Sequence, residues 1–194
     1  MSIQDDARPR PGRRRDPACD DAIHTATLAE FVENGYGSLS IERVAARAGV
    51  GKATIYRRYP NKAELVVEAV RVGACIDDHL PDTGDLRADL ISILRGMVER
   101  LRGPDGKVLL AFAAERTRHP ELAAAFERGV IGNKRRHVRG LLQRAVDHGE
   151  LAADSDIDLI AEAGPALVWH HAFYDLPLDD DLPDRIIELV LARG

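Results

Sequence analysis

The sequence predicts an all-α protein, and three observations carry that reading. Apolar residues recur at spacings of three and four from residue 17 onward, and the alternation of a half-buried strand is absent. Hydrophobic residues make up 45% and charged residues 30% of the 194, a globular composition with enough apolar surface for a core. Glycines and prolines fall between the periodic runs, where helices stop and turn. No window approaches the ~18 uninterrupted apolar residues of a membrane helix. The N-terminus lacks the apolar stretch of a secretory signal. Cys19 and Cys75 form neither a metal spacing nor a disulfide framework, so a reduced, cytoplasmic protein is expected, with no membrane partner and no cofactor.

Residues 1–16 carry five arginines and almost no apolar side chains, which predicts a disordered basic arm. Its cluster Arg13, Arg14 and Arg15 is either an auxiliary contact to an anionic partner or a solvated tail. A first helix is expected over Pro17 to Asn34, with Ile23, Ala26, Phe31 and Val32 inward and Gly35 as its stop. Ser38 and Ser40 offer N-caps for a short helix bearing Ile41, Val44, Ala45 and Ala48 on one face, closed by Gly49. Val50 and Gly51 turn into a second short helix, Lys52 to Arg58, with Ile55 inward and Pro60 beyond its end. Asn61-Lys62-Ala63-Glu64 reads as a capping box opening a longer helix to about His79.

Two short helices joined by a glycine-containing turn are the helix-turn-helix pattern, whose second helix can enter a major groove. That helix carries Lys52, Thr54, Tyr56, Arg57 and Arg58. Lys and Arg neutralise phosphates, hydroxyls bond to phosphate oxygens, and a Thr methyl can meet a thymine methyl. Up to Lys62 the chain holds 11 basic and 8 acidic residues, and beyond it 16 and 24, so the basic excess sits at the helix-turn-helix end. The free N–H groups opening the helix after Asn61, with Lys62 beside them, are suited to a phosphate.

The stretch from Ala22 to Leu65, and above all VAARAGVGKATIYRRYPNKAEL, resembles the DNA-binding domain of the TetR family of bacterial transcriptional regulators. Ala45, Gly49, Val50, Thr54, Ile55, Tyr56, Tyr59 and Lys62 each fall where the family pattern expects that residue or a close variant. The resemblance implies a DNA-binding unit over 17–64 and a helical ligand-binding and dimerisation domain over 65–194. It places Ser40 and Arg43 near the DNA backbone, Gly51, Lys52, Thr54, Tyr56, Arg57 and Arg58 at the recognition helix, and Tyr59 and Lys62 on phosphate. Tyr56 and Tyr59 could also serve as core aromatics, and Arg57 and Arg58 as a solvated face. Glu30 departs from the family pattern, where an apolar residue is usual, and implies a helix turn that faces outward or pairs with an arginine.

Beyond Gly84 further helices are expected: one with Leu86, Leu90, Leu94, Val98 and Leu101; one with Leu109 and Phe112; a long one from Glu121 to His148 bent near Gly129 and Gly132; one capped by Asp156; and one over Leu182 to Ala192. Pro165 is expected to kink the fourth and to shape a cavity. Met97, Leu101, Leu109, Phe112, Phe126, Trp169, His170 and Tyr174 are the candidate lining of a pocket for an unidentified small-molecule effector, or plain core. His170 and His171 lack a third metal ligand, so no metal is expected. By resemblance the last two helices pair with their symmetry mates through Leu167, Phe173, Ile186 and Val190. The expected protein is thus a homodimer on a palindromic double-stranded operator, most readily a repressor released by its effector, with an activator or ligand-independent regulator as the alternative. A carrier of hydrophobic ligand is a further reading, and the scattered His24, His119, His137 and His148 suggest no enzyme.

Overall fold

A computed structural model describes residues 17–76 and 79–192, and all its regular elements are helices. The expected basic arm, residues 1–16, lies outside the described residues. At the N-terminal end, α1 (Pro17–Ser38), α2 (Ile41–Ala48), α3 (Lys52–Arg58) and α4 (Lys62–Gly73) pack together. They are followed by α5 (Leu86–Arg102), α6 (Gly106–Arg116), α7 (Pro120–Phe126), a π-helical turn (Glu127–Ile131), α8 (Gly132–Asp147), α9 (Ile157–Phe173) and α10 (Leu182–Leu191). No described helix is long and apolar enough to cross a membrane.

The helical run of α1 is broken at Gly35, as expected. That residue takes φ 70°, ψ 170°, a left-handed kink that a side chain would strain, and the helix resumes to Ser38. The kink drops Tyr36 into the core, 2% exposed. The buried face of α1 runs through Ile23, Ala26, Thr27, Glu30 and Phe31, so Val32, a quarter turn further round, faces outward rather than inward. Ser40 caps α2 by accepting from the Arg43 N–H, and Gly49 closes it at φ 67° while Val50 N–H reaches back to Ala45 C=O.

The Asn61 carboxamide caps α4 by accepting from the Glu64 N–H at 2.9 Å, but the reciprocal half of the box is missing because Glu64 turns instead to Arg128 at 2.7 Å. Helix α4 ends at Gly73, short of His79. A left-handed Cys75 and the bond from Ile76 N–H to Arg71 C=O close it, the geometry that satisfies terminal carbonyls.

In the C-terminal part, the expected long helix runs from Pro120 to Asp147 with helical dihedrals at both junctions, and the expected irregularity near Gly129 and Gly132 is the π turn between α7 and α8. Helix α9 runs through Pro165 without a break, and Gly164 presses it against α5, where an added Cβ would lie 3.2 Å from Leu94 Cδ1. Asp156 caps α9 through the Leu159 N–H. The two ends of the molecule meet along α1 and α4, which pack on α6, α7 and the π turn. Phe112 sits between the rings of Phe31 and Phe126, with centroids 6.2 and 4.9 Å away.

Candidate nucleic-acid interface

Helix α3 is short, and only Ile55 is buried in it. Ile55 seats it in the core, and the bond from Tyr59 N–H to Ile55 C=O closes its last turn, while most of its other side chains are displayed rather than packed. Lys52, Ala53, Tyr56 and Arg57 are exposed and Thr54 is half-exposed. Tyr56, at 53% exposure, is not a core aromatic. Gly51 precedes the helix as an extended N-cap with an exposed backbone.

The structure brings the other expected contacts to this end of the molecule but engages most of them within the chain. Glu30 is turned inward, 3% exposed, and Arg43 covers it with Nε 2.5 Å from the carboxylate while donating also to Ser38 C=O. Of the two expected outcomes for this turn, outward rotation or pairing with an arginine, the structure shows the second: the carboxylate is buried because Arg43 neutralises it. Arg58 folds back onto Asp20 and is mostly buried, which removes it from the outer face of α3. Ser40 donates to Glu42 at 2.9 Å, and Glu42 accepts also from Lys52. The Lys52 ammonium, Glu42's own backbone and the Ser40 hydroxyl hold the Glu42 carboxyl down at about 2.

Tyr59 keeps its ring half-buried, and its hydroxyl is hydrogen-bonded to His24 Nε2 at 2.7 Å. Burial pushes the His24 imidazole below its ordinary value and favours the neutral ring. The Lys62 ammonium donates to the carbonyls of Tyr36 and Gly37 at 2.9 and 3.4 Å and lies 4.4 Å above the Tyr36 ring. These carbonyls belong to the end of α1, so Lys62 ties α4 to that end and complements its dipole. Tyr36 also meets His119, ring centroids 4.7 Å apart, and desolvation together with Glu121 lifts its phenol to about 12. His119 in turn lies 3.4 Å from Glu115 and 3.6 Å from Glu121.

Sequence reasoning missed Ala53, Glu42 and the Tyr36–His119 contact. Ala53 could have been found by helical geometry, since it stands one turn before Arg57 on the side opposite Ile55. Nothing local in the sequence announces the meeting of Tyr36 with His119, 83 positions later.

The eight residues expected around an effector pocket do not surround one cavity. Leu101, Leu109, Phe112 and Phe126 are core and Met97 packs against it, whereas His170 and Tyr174 are exposed with their rings tilted against one another, centroids 4.8 Å apart. Trp169 is half-buried against Phe173. The split follows from α9, whose inward face is Gly164, Val168 and Ala172, so residues next to these in sequence rotate outward. A small apolar cavity of about 20 Å³ does border Gly164 and Pro165, walled by Leu90, Leu94, Ile160 and Ile187. Of the four residues expected at a dimer contact, Ile186 is buried within the protomer, Leu167 and Val190 are half-buried, and Phe173 is exposed. Leu159 and Leu189, not singled out from sequence, are exposed on the same two helices at 63% and 66%.

Residues 23–69 match the family described as bacterial regulatory proteins, tetR family, and residues 80–190 match the tetracyclin repressor-like C-terminal domain. A DNA-binding transcriptional repressor TetR of Mycobacteroides abscessus is 36% identical over 181 residues, covering 88% of this chain and 90% of that protein. An uncharacterized HTH-type transcriptional regulator of Mycobacterium bovis is 31% identical over 166 residues, 85% of this chain and 82% of its own. Among solved structures, the TetR family transcription regulator SCO0332 superposes with a TM-score of 0.69 at 25% identity, covering 92% of this chain and 99% of that one. The regulator FadR of Bacillus subtilis, solved in complex with stearoyl-CoA, shares the fold with a TM-score of 0.66 at 18% identity over 89% of this chain and 98% of its own.

Proposed function

Because the chain belongs to the tetR family of bacterial regulatory proteins and is a helix-turn-helix transcriptional regulator, we propose that it is a repressor that binds a palindromic operator as a homodimer and leaves it when a small molecule binds the C-terminal domain. The observation that carries the DNA half of this reading is the display of Tyr56 and Arg57 on the outer side of a helix whose inner side is held by Ile55 in the core and Arg58 on Asp20. A helix held at one face and polar on the rest is shaped to lie in a major groove. The 36% identical relative is named a repressor, which supports the sign of regulation.

The dimer half rests on the exposed apolar residues of α9 and α10, a cost in water that a two-fold partner removes. Leu189→Asp is expected to convert the dimer to a monomer in sedimentation at micromolar concentration while leaving helix content unchanged, since the side chain touches little within its own protomer. A variant that still sediments as a dimer would place the contact elsewhere.

The release half has two physical supports. The Bacillus subtilis protein of this fold binds stearoyl-CoA in its crystal, and here the two ends of the chain are joined by contacts that a shift of α6 or α7 would move. Those contacts are Phe31 on Phe112, Tyr36 on His119 and Glu64 on Arg128. An effector that favours one arrangement of these contacts changes the spacing of the two recognition helices, and operator DNA then weakens effector binding by the same factor.

The experiment is a selection of bound duplexes from genomic DNA with the purified full chain at moderate salt. Recovery of a two-fold motif supports the reading, and the genes beside it narrow the effector class. Folded protein that shows no salt-dependent affinity for any duplex overturns it. On the recovered duplex, Tyr56→Ala is expected to lower affinity by roughly ten- to a hundredfold, the range for losing a hydrogen bond to a charged phosphate oxygen. Wild-type affinity in that variant would remove Tyr56 from the interface.

A further inference from the structure

The recognition helix can be dissected further, on the premise that the chain binds DNA as proposed above. With 3.6 residues per turn, Ala53 and Arg57 each stand about 160° from the buried Ile55, on opposite sides of the outermost line of α3. Thr54 and Tyr56 stand only about 100° from Ile55 and form the flanks. A helix entering a groove with its anchored side away from DNA turns its outermost line to the base edges and its flanks to the two phosphate walls.

The charges of this end of the molecule separate the same way. Between residues 17 and 62 the chain has six Lys and Arg residues against five Asp and Glu, so the described helix-turn-helix unit is nearly neutral. Arg43 is committed to Glu30, Arg47 to Glu33 at 2.7 Å, Lys52 to Glu42 and Arg58 to Asp20, while Lys62 is held by the carbonyls ending α1. Arg57 is the sixth, and it is exposed with no ion-pair partner among the described residues. One turn before it, Ala53 has no long side chain to compete for the same space.

We propose that Arg57 is the sequence-reading residue of this protein, donating from its guanidinium fork to O6 and N7 of one guanine in each operator half-site. A planar fork with two parallel donors matches the two adjacent acceptors that guanine alone presents in the major groove. Arg57 has no ion pair to break on binding, whereas Lys52, about 60° from Ile55 and off the outermost line, is a point charge that supplies sequence-independent attraction.

The test uses the full chain and duplexes selected from a random library. Wild-type protein is expected to enrich a palindrome with one G·C pair at symmetry-related positions, and Arg57→Ala to lose that preference while keeping the rest of the motif. On the enriched duplex the Arg57→Ala dimer is expected to bind at least roughly 25-fold more weakly, since each half-site loses a bidentate base contact of roughly 5- to 150-fold. Replacing the guanine by 7-deazaguanine, which lacks the N7 acceptor, should weaken wild-type protein and leave Arg57→Ala unaffected. Arg57→Lys keeps the charge but not the fork, so it should retain the wild-type salt dependence and lose the guanine preference. Lys52→Ala should lower affinity for enriched and random-sequence duplexes by one common factor with the motif unchanged. Equal losses on enriched and random duplexes for Arg57→Ala, with 7-deazaguanine still costly to that variant, would make Arg57 a phosphate contact and overturn the proposal. So would a wild-type palindrome with no guanine whose replacement depends on Arg57. A wild-type protein that enriches no motif and binds no duplex overturns the DNA-binding reading itself.

Discussion

Phe112→Ala is expected to destabilise the protein by about 3–5 kcal/mol, the cost of removing a large buried aromatic whose surroundings cannot fully close. Its ring is 2% exposed and bridges Phe31 of α1 to Phe126 of α7, so the substitution opens a void where the two ends of the chain meet. Part of the loss is hydrophobic transfer and part is the tilted ring pairs, which stabilise beyond their buried area. Urea unfolding of wild type and variant measures it. A change below about 1 kcal/mol would mean that Phe31 and Phe126 collapse onto each other, and the void account would fail. Because the same ring joins the DNA-binding helices to α6, the variant should also show a weaker response of operator affinity to effector once an effector is known.

Arg43→Ala is expected to cost about 3 kcal/mol, at the low end for stripping the partner from a buried charge because Arg43 itself is half in water. Glu30 would be left as an uncompensated carboxylate with its side chain 4% exposed, and Ser38 C=O would lose its donor. Adding Glu30→Gln to the variant should recover much of the loss, since a neutral amide is cheaper to bury than a carboxylate. Urea unfolding of the single and double variants decides it. An Arg43→Ala protein as stable as wild type, with DNA affinity sharply reduced, would instead make Arg43 a phosphate ligand first and a partner of Glu30 second.

These two residues show where reading the chain by itself stops. The position of Glu30 marked it as unusual, and pairing with an arginine was one of the two outcomes it implied. That the pair is buried, and that Arg43 and not another arginine completes it, depends on α2 crossing α1 thirteen positions later. Phe112 and Phe126 were legible as inward residues from their spacing, yet nothing in that spacing separates a cavity wall from solid core. The difference lies in whether facing side chains from α1, α6 and α7 fill the space between them, a property of all three helices at once.

What the sequence by itself determined is everything set within a few residues: the helical class, the caps at Ser40, Asn61 and Asp156, the left-handed close at Gly49, the turn before Lys52, and the inward placement of Ile55. Capping, turn conformation and helical periodicity act over one or two turns of chain, so they are written locally. Only the tertiary structure decided which charges are spent and which are free. Arg57 and Arg58 are neighbours of one type in one short helix, but a rotation of 100° sends Arg58 to Asp20 on α1 and leaves Arg57 facing outward. Likewise Ile186 and Leu189 are both apolar in α10, and packing against α5 and α9 buries the first and exposes the second. Partners far apart in the chain make these choices, and their positions exist only once the helices have packed.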